Sequence, residues 1–243
     1  PVRSARILGL EPGKVFAPKV VYVYRKQLEE ADVIVINKSD LIDEERLERL
    51  KDTLALEFPR ARIFAISALQ SRGLEPWFEY ILGADLATFT APELDYEIYA
   101  EGEALLGWFN ATVRLARSQP FSGNRLLEKL ASAIQQRLLS ADAEIAHLKM
   151  TLTPEDDAGD IGVINLVRGD AVPFMAHSLS AGIETGELII NLRAEGDPEV
   201  LNEIVTSALK DVAATENSLE VTVEHSEHFR PSKPVPTYRM AEA

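Results

Sequence analysis

The stretch Val33-Ile34-Val35-Ile36-Asn37-Lys38-Ser39-Asp40 decides how this chain is read. Its first four residues are apolar and β-branched, and polar residues bound them. A short run of that kind suits a strand buried on both faces of a parallel sheet. Asn37-Lys38-Ser39-Asp40 is a polar turn that ends it. Downstream, residues 43–57 place Leu47, Leu50 and Leu54 on one helical face, with Asp43 as N-cap. Pro59 stops that helix. Residues 61–66 (ARIFAI) read as a second short strand, closed by Ser67-Ala68; Gly73 opens a turn and residues 74–82 form a short helix. Upstream, residues 18–31 read as a helix with a mixed face. Helix and strand alternate, which is the signature of an α/β layer on a parallel sheet.

A polar turn at the mouth of such a sheet is where α/β proteins bind ligands. The Asp40 carboxylate can accept two hydrogen bonds, from N1–H and the exocyclic amine of guanine. Adenine offers no such donor pair. Asn37 can donate toward the N7 side of the base and tie neighbouring loops together, and the Lys38 stem can lie across the base plane. The Ala68 backbone N–H, at the end of the second strand, would meet guanine O6. A carboxylate reading two N–H groups is geometrically demanding, and specificity follows from that demand. The competing interpretation is a polar loop that caps the next helix.

Residues 27–41 (QLEEADVIVINKSDL), together with Ala65-Ile66-Ser67-Ala68-Leu69, resemble the corresponding segments of CobW/HypB/UreG-type P-loop GTPases, with the CobW-like branch most similar. The resemblance covers residues 1–82. It implies a P-loop α/β GTPase domain, with residues 95–243 as the variable C-terminal domain that such proteins append. It also implies GTP or GDP with Mg²⁺ as ligand, and metal or metal-cofactor delivery to a client metalloprotein or cofactor-assembly protein. The guanine-reading roles carry over to Asn37, Lys38, Asp40, Ser67 and Ala68. No catalytic role and no metal ligand carries over, because no G-x-x-x-x-G-K-[ST] motif occurs in the sequence. Pro1-Val2-Arg3 reads as the end of a loop cut from something longer, so the expectation is an N-terminally truncated GTPase. On that expectation GTP hydrolysis belongs to the full-length protein and not to this chain alone. The alternative is a non-enzymatic interaction module whose α/β remnant is scaffold and whose C-terminal sheet docks a client.

Residues 83–95 lose periodicity and read as a linker. Beyond them the sequence predicts helices over 96–117 and 122–140, separated by Pro120 and Gly123. The period then changes to two. Residues 143–153 and 160–168 read as strands around the acidic turn Glu155-Asp156-Asp157-Ala158-Gly159, and 172–179 and 186–194 as another pair around Gly182. Pro198 starts a helix to about Ala214, and 219–223 is a last strand that could lie parallel beside 186–194. Residues 96–243 therefore read as an α+β domain on a small sheet. The tail Pro231-Ser232-Lys233-Pro234-Val235-Pro236 reads as extended and packed along a surface or a partner.

Composition narrows the classes. The 243 residues are 46% hydrophobic and 26% charged, which is globular. There is no cysteine, hence no disulfide framework and no thiolate metal site within the chain. No secretory signal and no apolar run of about 18 residues is visible, so a cytoplasmic, non-membrane protein is expected. Net charge is −14, with −2 over residues 1–94 and −12 over residues 95–243. Such a surface is a poor partner for nucleic acid, which needs an excess of Lys and Arg; it reads as a solubilising surface, or as a match for a cationic or metal-bearing partner. His225 and His228, flanked by Glu224 and Glu227, could seat a divalent metal on a helix, but the strand pattern before them points to a solvated polar stretch. His147 and His177 read as structural histidines, and Glu155-Asp156-Asp157 with Asp160 as an ordinary acidic turn. Trp77, Trp108 and Phe109 read as core residues of helices.

Overall fold

In the computed structural model, residues 1–83, 95–156, 159–216 and 218–231 are described. The fold is mixed α/β, with one parallel and one antiparallel sheet. The chain divides into two compact units, one over Pro1–Gly102 and one beginning at Glu103.

The first unit is built on two parallel strands, β1 (Val33–Ile36) and β2 (Arg62–Ala65), paired from Val33↔Arg62 to Ile36↔Ala65. Helix α1 (Val2–Ile7) precedes them, so Val2 and Arg3 belong to a helix and not to the end of a loop. Helix α2 (Pro18–Glu30) carries Pro at its first position, where the missing N–H costs nothing. Helix α3 (Glu44–Glu57) is capped as expected: the Arg46 N–H donates to Asp43 Oδ1 at 2.9 Å. Ile34, Ile36, Leu50, Leu54 and Phe58 form its core. Helices α4 (Leu74–Gly83) and α5 (Tyr96–Ala104) complete it. Helix α4 buries none of its residues, and Phe78 and Leu82 lie exposed on it. Trp77 on the same helix stacks on Phe78 at 4.9 Å and is only half-buried, so it is not the core residue its spacing suggests.

The second unit is a six-stranded antiparallel sheet in the order β6-β5-β4-β7-β3-β8, with helices α6 (Gly123–Ser140) and α7 (Pro198–Thr215) packed on it. The strands are β3 (Leu106–Phe121), β4 (Ile145–Pro154), β5 (Gly162–Leu166), β6 (Phe174–His177), β7 (Ile183–Glu195) and β8 (Glu220–Phe229). Two split βαβ units, β3-α6-β4 and β7-α7-β8, interleave, and the β5–β6 pair is inserted between them. Three sequence expectations are corrected here. Residues 106–117 are strand, not helix: Phe109, Ala111, Val113 and Leu115 alternate inward along β3. Strands β7 and β8 are not neighbours, because β3 lies between them and pairs antiparallel with both. Strand β6 pairs with β5 instead of with β7. The two pairings have one cause: β3 and β4 occupy both edges of β7, so neither β6 nor β8 can pair with it. Trp108, on the opposite face of β3 from the core, is half-buried; it stacks on Phe229 at 5.9 Å and lies under the Arg193 guanidinium at 4.7 Å. Phe109 is core. The linker reading at 83–95 falls almost wholly outside the described residues, as does the tail reading beyond Pro231.

Candidate functional site

The two strands of the first unit end side by side, and their loops make the site. The Ile66 N–H donates to the Ile36 carbonyl at 2.9 Å, and the Ser39 N–H donates to the Ile66 carbonyl at 3.0 Å, extending the pairing past both strands. Lys38 sits between them with φ 60° and ψ 37°, a left-handed conformation that costs a non-glycine residue about 1–2 kcal/mol. That reversal lets Asn37 and Asp40 flank the same loop. Ser39–Leu41 then form a single 3-10 turn before α3.

Asn37 joins the two loops. Its Oδ1 accepts from its neighbour, the Lys38 N–H, at 2.6 Å and from the Ala68 N–H at 3.1 Å. The Ala68 N–H, which the guanine reading assigns to O6, is therefore engaged by Asn37. Ser67 is fully buried, and its hydroxyl accepts from the Gln70 N–H at 3.2 Å. Ser67 and Arg72 exchange backbone bonds of 2.9 and 3.0 Å, closing a tight turn. Ser71 (φ 51°) and Gly73 (φ 73°) give that turn its shape. A Cβ at Gly73 would lie 2.4 Å from the Ala65 carbonyl oxygen, so the turn sits hard against the end of β2.

Asp40 is the charged centre. A hydrogen bond from Ser67 holds its carboxyl below the ordinary aspartate range, with the positive charges of Arg72 and Lys38 acting the same way. The side chain is ionised at neutral pH. Its Oδ1 is shielded from solvent and has no hydrogen-bond partner among the described residues. A cleft of about 480 Å³ opens beside it, lined by Ser39, Asp40, Ile42, Glu44, Leu47, Ala65, Gln70 and Arg72. A shielded carboxylate oxygen without a donor is a place where a ligand N–H is favoured.

No family model matches the chain, and no curated protein matches it by sequence. Two solved structures match by shape. One is a Zn(II)-bound triple mutant of the YjiA GTPase, at TM-score 0.28 and 16% identity, covering 77% of this chain and 54% of that one. The other is Zn(II)-bound YjiA GTPase from E. coli, at TM-score 0.27 and 15% identity, covering 87% of this chain and 58% of that one. The chain thus spans little more than half the length of either.

The structure brings Asn37, Lys38, Asp40, Ser67 and Ala68 together on two adjacent loops. Arg72, Gln70 and Glu44 also line the cleft or its rim, and no motif in the sequence marks them. Their only signal is Gly73, whose turn fixes where Arg72 falls. The other candidates do not gather. His225 lies 3.2 Å from Glu227 on β8, and His228 Nε2 lies 3.0 Å from Glu199 on α7. His147 Nε2 lies 3.3 Å from Asn165 Oδ1. Asp160 accepts from the N–H and hydroxyl of Ser180, both at 2.9 Å, which makes it a turn-closing residue. Among the described residues, no cluster of three or more His, Asp or Glu side chains could hold a metal ion. No described helix is long and apolar enough to cross a membrane.

Proposed function

We propose that this chain reads the guanine base of a nucleotide, and that Asp40 is the reading group. The observation that carries this is the shielded, unpartnered Asp40 Oδ1 beside an open cleft, on a carboxylate kept ionised by Ser67. Guanine supplies N1–H and an amine to that carboxylate. Lys38 is exposed where its stem can cover the base, and Asn37 braces the loop against Ala68. Phosphate binding is not assigned to any residue here, since no glycine-rich phosphate loop occurs in the sequence. Mg²⁺ is likewise not assigned to any residue of this chain; among the described residues no group of three or more His, Asp or Glu could hold a metal ion. With the CobW-like resemblance of residues 27–41, the larger role we propose is that of a GTPase-type protein in metal or metal-cofactor delivery to a client protein. Hydrolysis and delivery are proposed for the whole protein, with residues of this chain supplying base recognition.

The test uses GMP, AMP and XMP against the isotopically labelled chain, followed by NMR. GMP should shift the amides of residues 37–40 and 67–72, and AMP should not. In Asp40→Asn the new amide donor opposes guanine's amine but pairs with the 2-carbonyl of xanthine. The variant should therefore lose GMP and gain XMP, each by about tenfold or more. An unchanged GMP preference in Asp40→Asn would reduce Asn37–Asp40 to a helix-capping loop.

A further inference from the structure

The base-reading proposal leaves guanine O6 without a donor, because the Ala68 N–H is given to Asn37 Oδ1 at 3.1 Å. Arg72 lines the same cleft as Asp40. Its backbone is fixed by the two bonds to Ser67 and by the Gly73 turn pressed on Ala65. Its guanidinium has no hydrogen-bond or ion-pair partner among the described residues, so its N–H donors are uncommitted. A surface with an acceptor at Asp40 and donors at Arg72 complements an edge that carries donors beside an acceptor. Guanine presents that edge, as N1–H and amine next to O6. Adenine presents an amine and a bare ring nitrogen instead.

We infer that Arg72 donates to O6 of the bound base and is a specificity-determining residue of the site. This rests on the Asp40 reading. Arg72 then rejects adenine by donor-to-donor opposition at the 6-position, while Asp40 rejects it by the missing N1–H. Gln70, on the same cleft wall, completes the polar lining.

The experiment titrates the chain with GMP and with its 6-thio analogue, reading the same amides. The analogue keeps N1–H and the amine and replaces O6 with sulfur, a weaker acceptor. The unaltered chain should prefer GMP by about fivefold, the worth of one hydrogen bond. Arg72→Ala should reduce that preference to less than about twofold. Arg72→Gln, which keeps N–H donors and drops the charge, should retain most of it. In both variants Asp40→Asn should still exchange GMP for XMP. If Arg72→Ala weakens GMP and its thio analogue equally, the guanidinium serves the phosphate and the assignment is overturned. If the preference survives in Arg72→Ala, another donor meets O6 and the assignment is likewise overturned. GMP and AMP shifting the amides alike would instead sink the base-reading proposal itself. Should Arg72→Ala lose its dispersed spectrum, Arg72→Met, which keeps the stem and has no N–H donor, takes its place: loss of the preference supports the assignment and its survival overturns it.

Discussion

At the scale of single residues, the site was legible where hydrogen-bonding chemistry is written into residue type. Asn37, Asp40 and Ser67-Ala68 stand out because an amide, a carboxylate and a small pair follow two apolar runs. Arg72 does not, because a charged residue in a polar turn is ordinary surface. Only the Ser67–Arg72 backbone exchange and the Gly73 turn bring it to the cleft. Lys38 shows a second thing the sequence hides, a left-handed backbone at a non-glycine position. Glycine there would relieve about 1–2 kcal/mol of strain and give back about 0.5–1 kcal/mol in unfolded-chain entropy. Lys38→Gly should therefore stabilise the chain by up to about 1 kcal/mol in urea denaturation, while weakening GMP binding by removing the stem over the base. A variant that is less stable than the parent would mean that the Lys38 side chain makes packing contacts worth more than the strain.

At the scale of elements, helices α3, α6 and α7 are read closely from the sequence, whereas the start of α1 reads as a loop end and the first part of β3 as helix. Helices α3 and α7 are capped at their N-termini: Asp43 and Asp197 accept from the Arg46 and Glu199 N–H groups at 2.9 Å. Strand β3 has Leu106, Phe109 and Val113 at spacings that also fit one helical face. Its inward alternation is set by pairing with β7 and β8, which lie far along the chain, so local pattern could not decide. The α7 cap also ties two elements together. Asp197 Oδ2 accepts from Arg230, just beyond β8, at 2.9 Å. That bond, followed by the one from the Glu199 N–H, holds the Asp197 carboxyl below its ordinary value. The unfolded chain takes up this proton first, at about pH 3.9. The stabilisation is thus complete above that pH and is lost as pH falls through the lower folded value. Asparagine caps nearly as well as aspartate but has no charge to protonate. Between pH 5 and pH 2.5, Asp197→Asn should show a shallower acid loss of stability than the parent. Parallel pH profiles would show that Arg230 gives Asp197 no advantage in the folded state.

At the scale of the whole molecule, the two compact units divide between Gly102 and Glu103. Loss of periodicity over 83–95 sets the expected start of the C-terminal domain at 96; helix α5 lies in the first unit, which runs to Gly102. A Cβ at Gly102 would lie 2.3 Å from the Lys19 carbonyl oxygen, so α5 lies close against α2. Lys19 pairs with Glu101, and the Asp95 N–H donates to the Tyr22 hydroxyl at 3.1 Å. These contacts join residues about eighty apart, which no local pattern can reveal. The second unit carries its own core, in which Leu127, Leu130, Ile134, Leu148, Ile190 and Val205 are sealed from solvent. We therefore propose residues 103–233 as an independently folding unit. Expressed from Glu103, it should unfold in one cooperative urea transition, with a midpoint within about 0.3 M of a chain begun at Asp95. The two should agree because α5 spends its contacts on α2 and adds little to the second core. A midpoint well above this for the chain begun at Asp95 would assign α5 to the second unit. A broad, non-cooperative transition for the chain begun at Glu103 would mean that the core of α6, α7 and the six strands is incomplete without the first hundred residues.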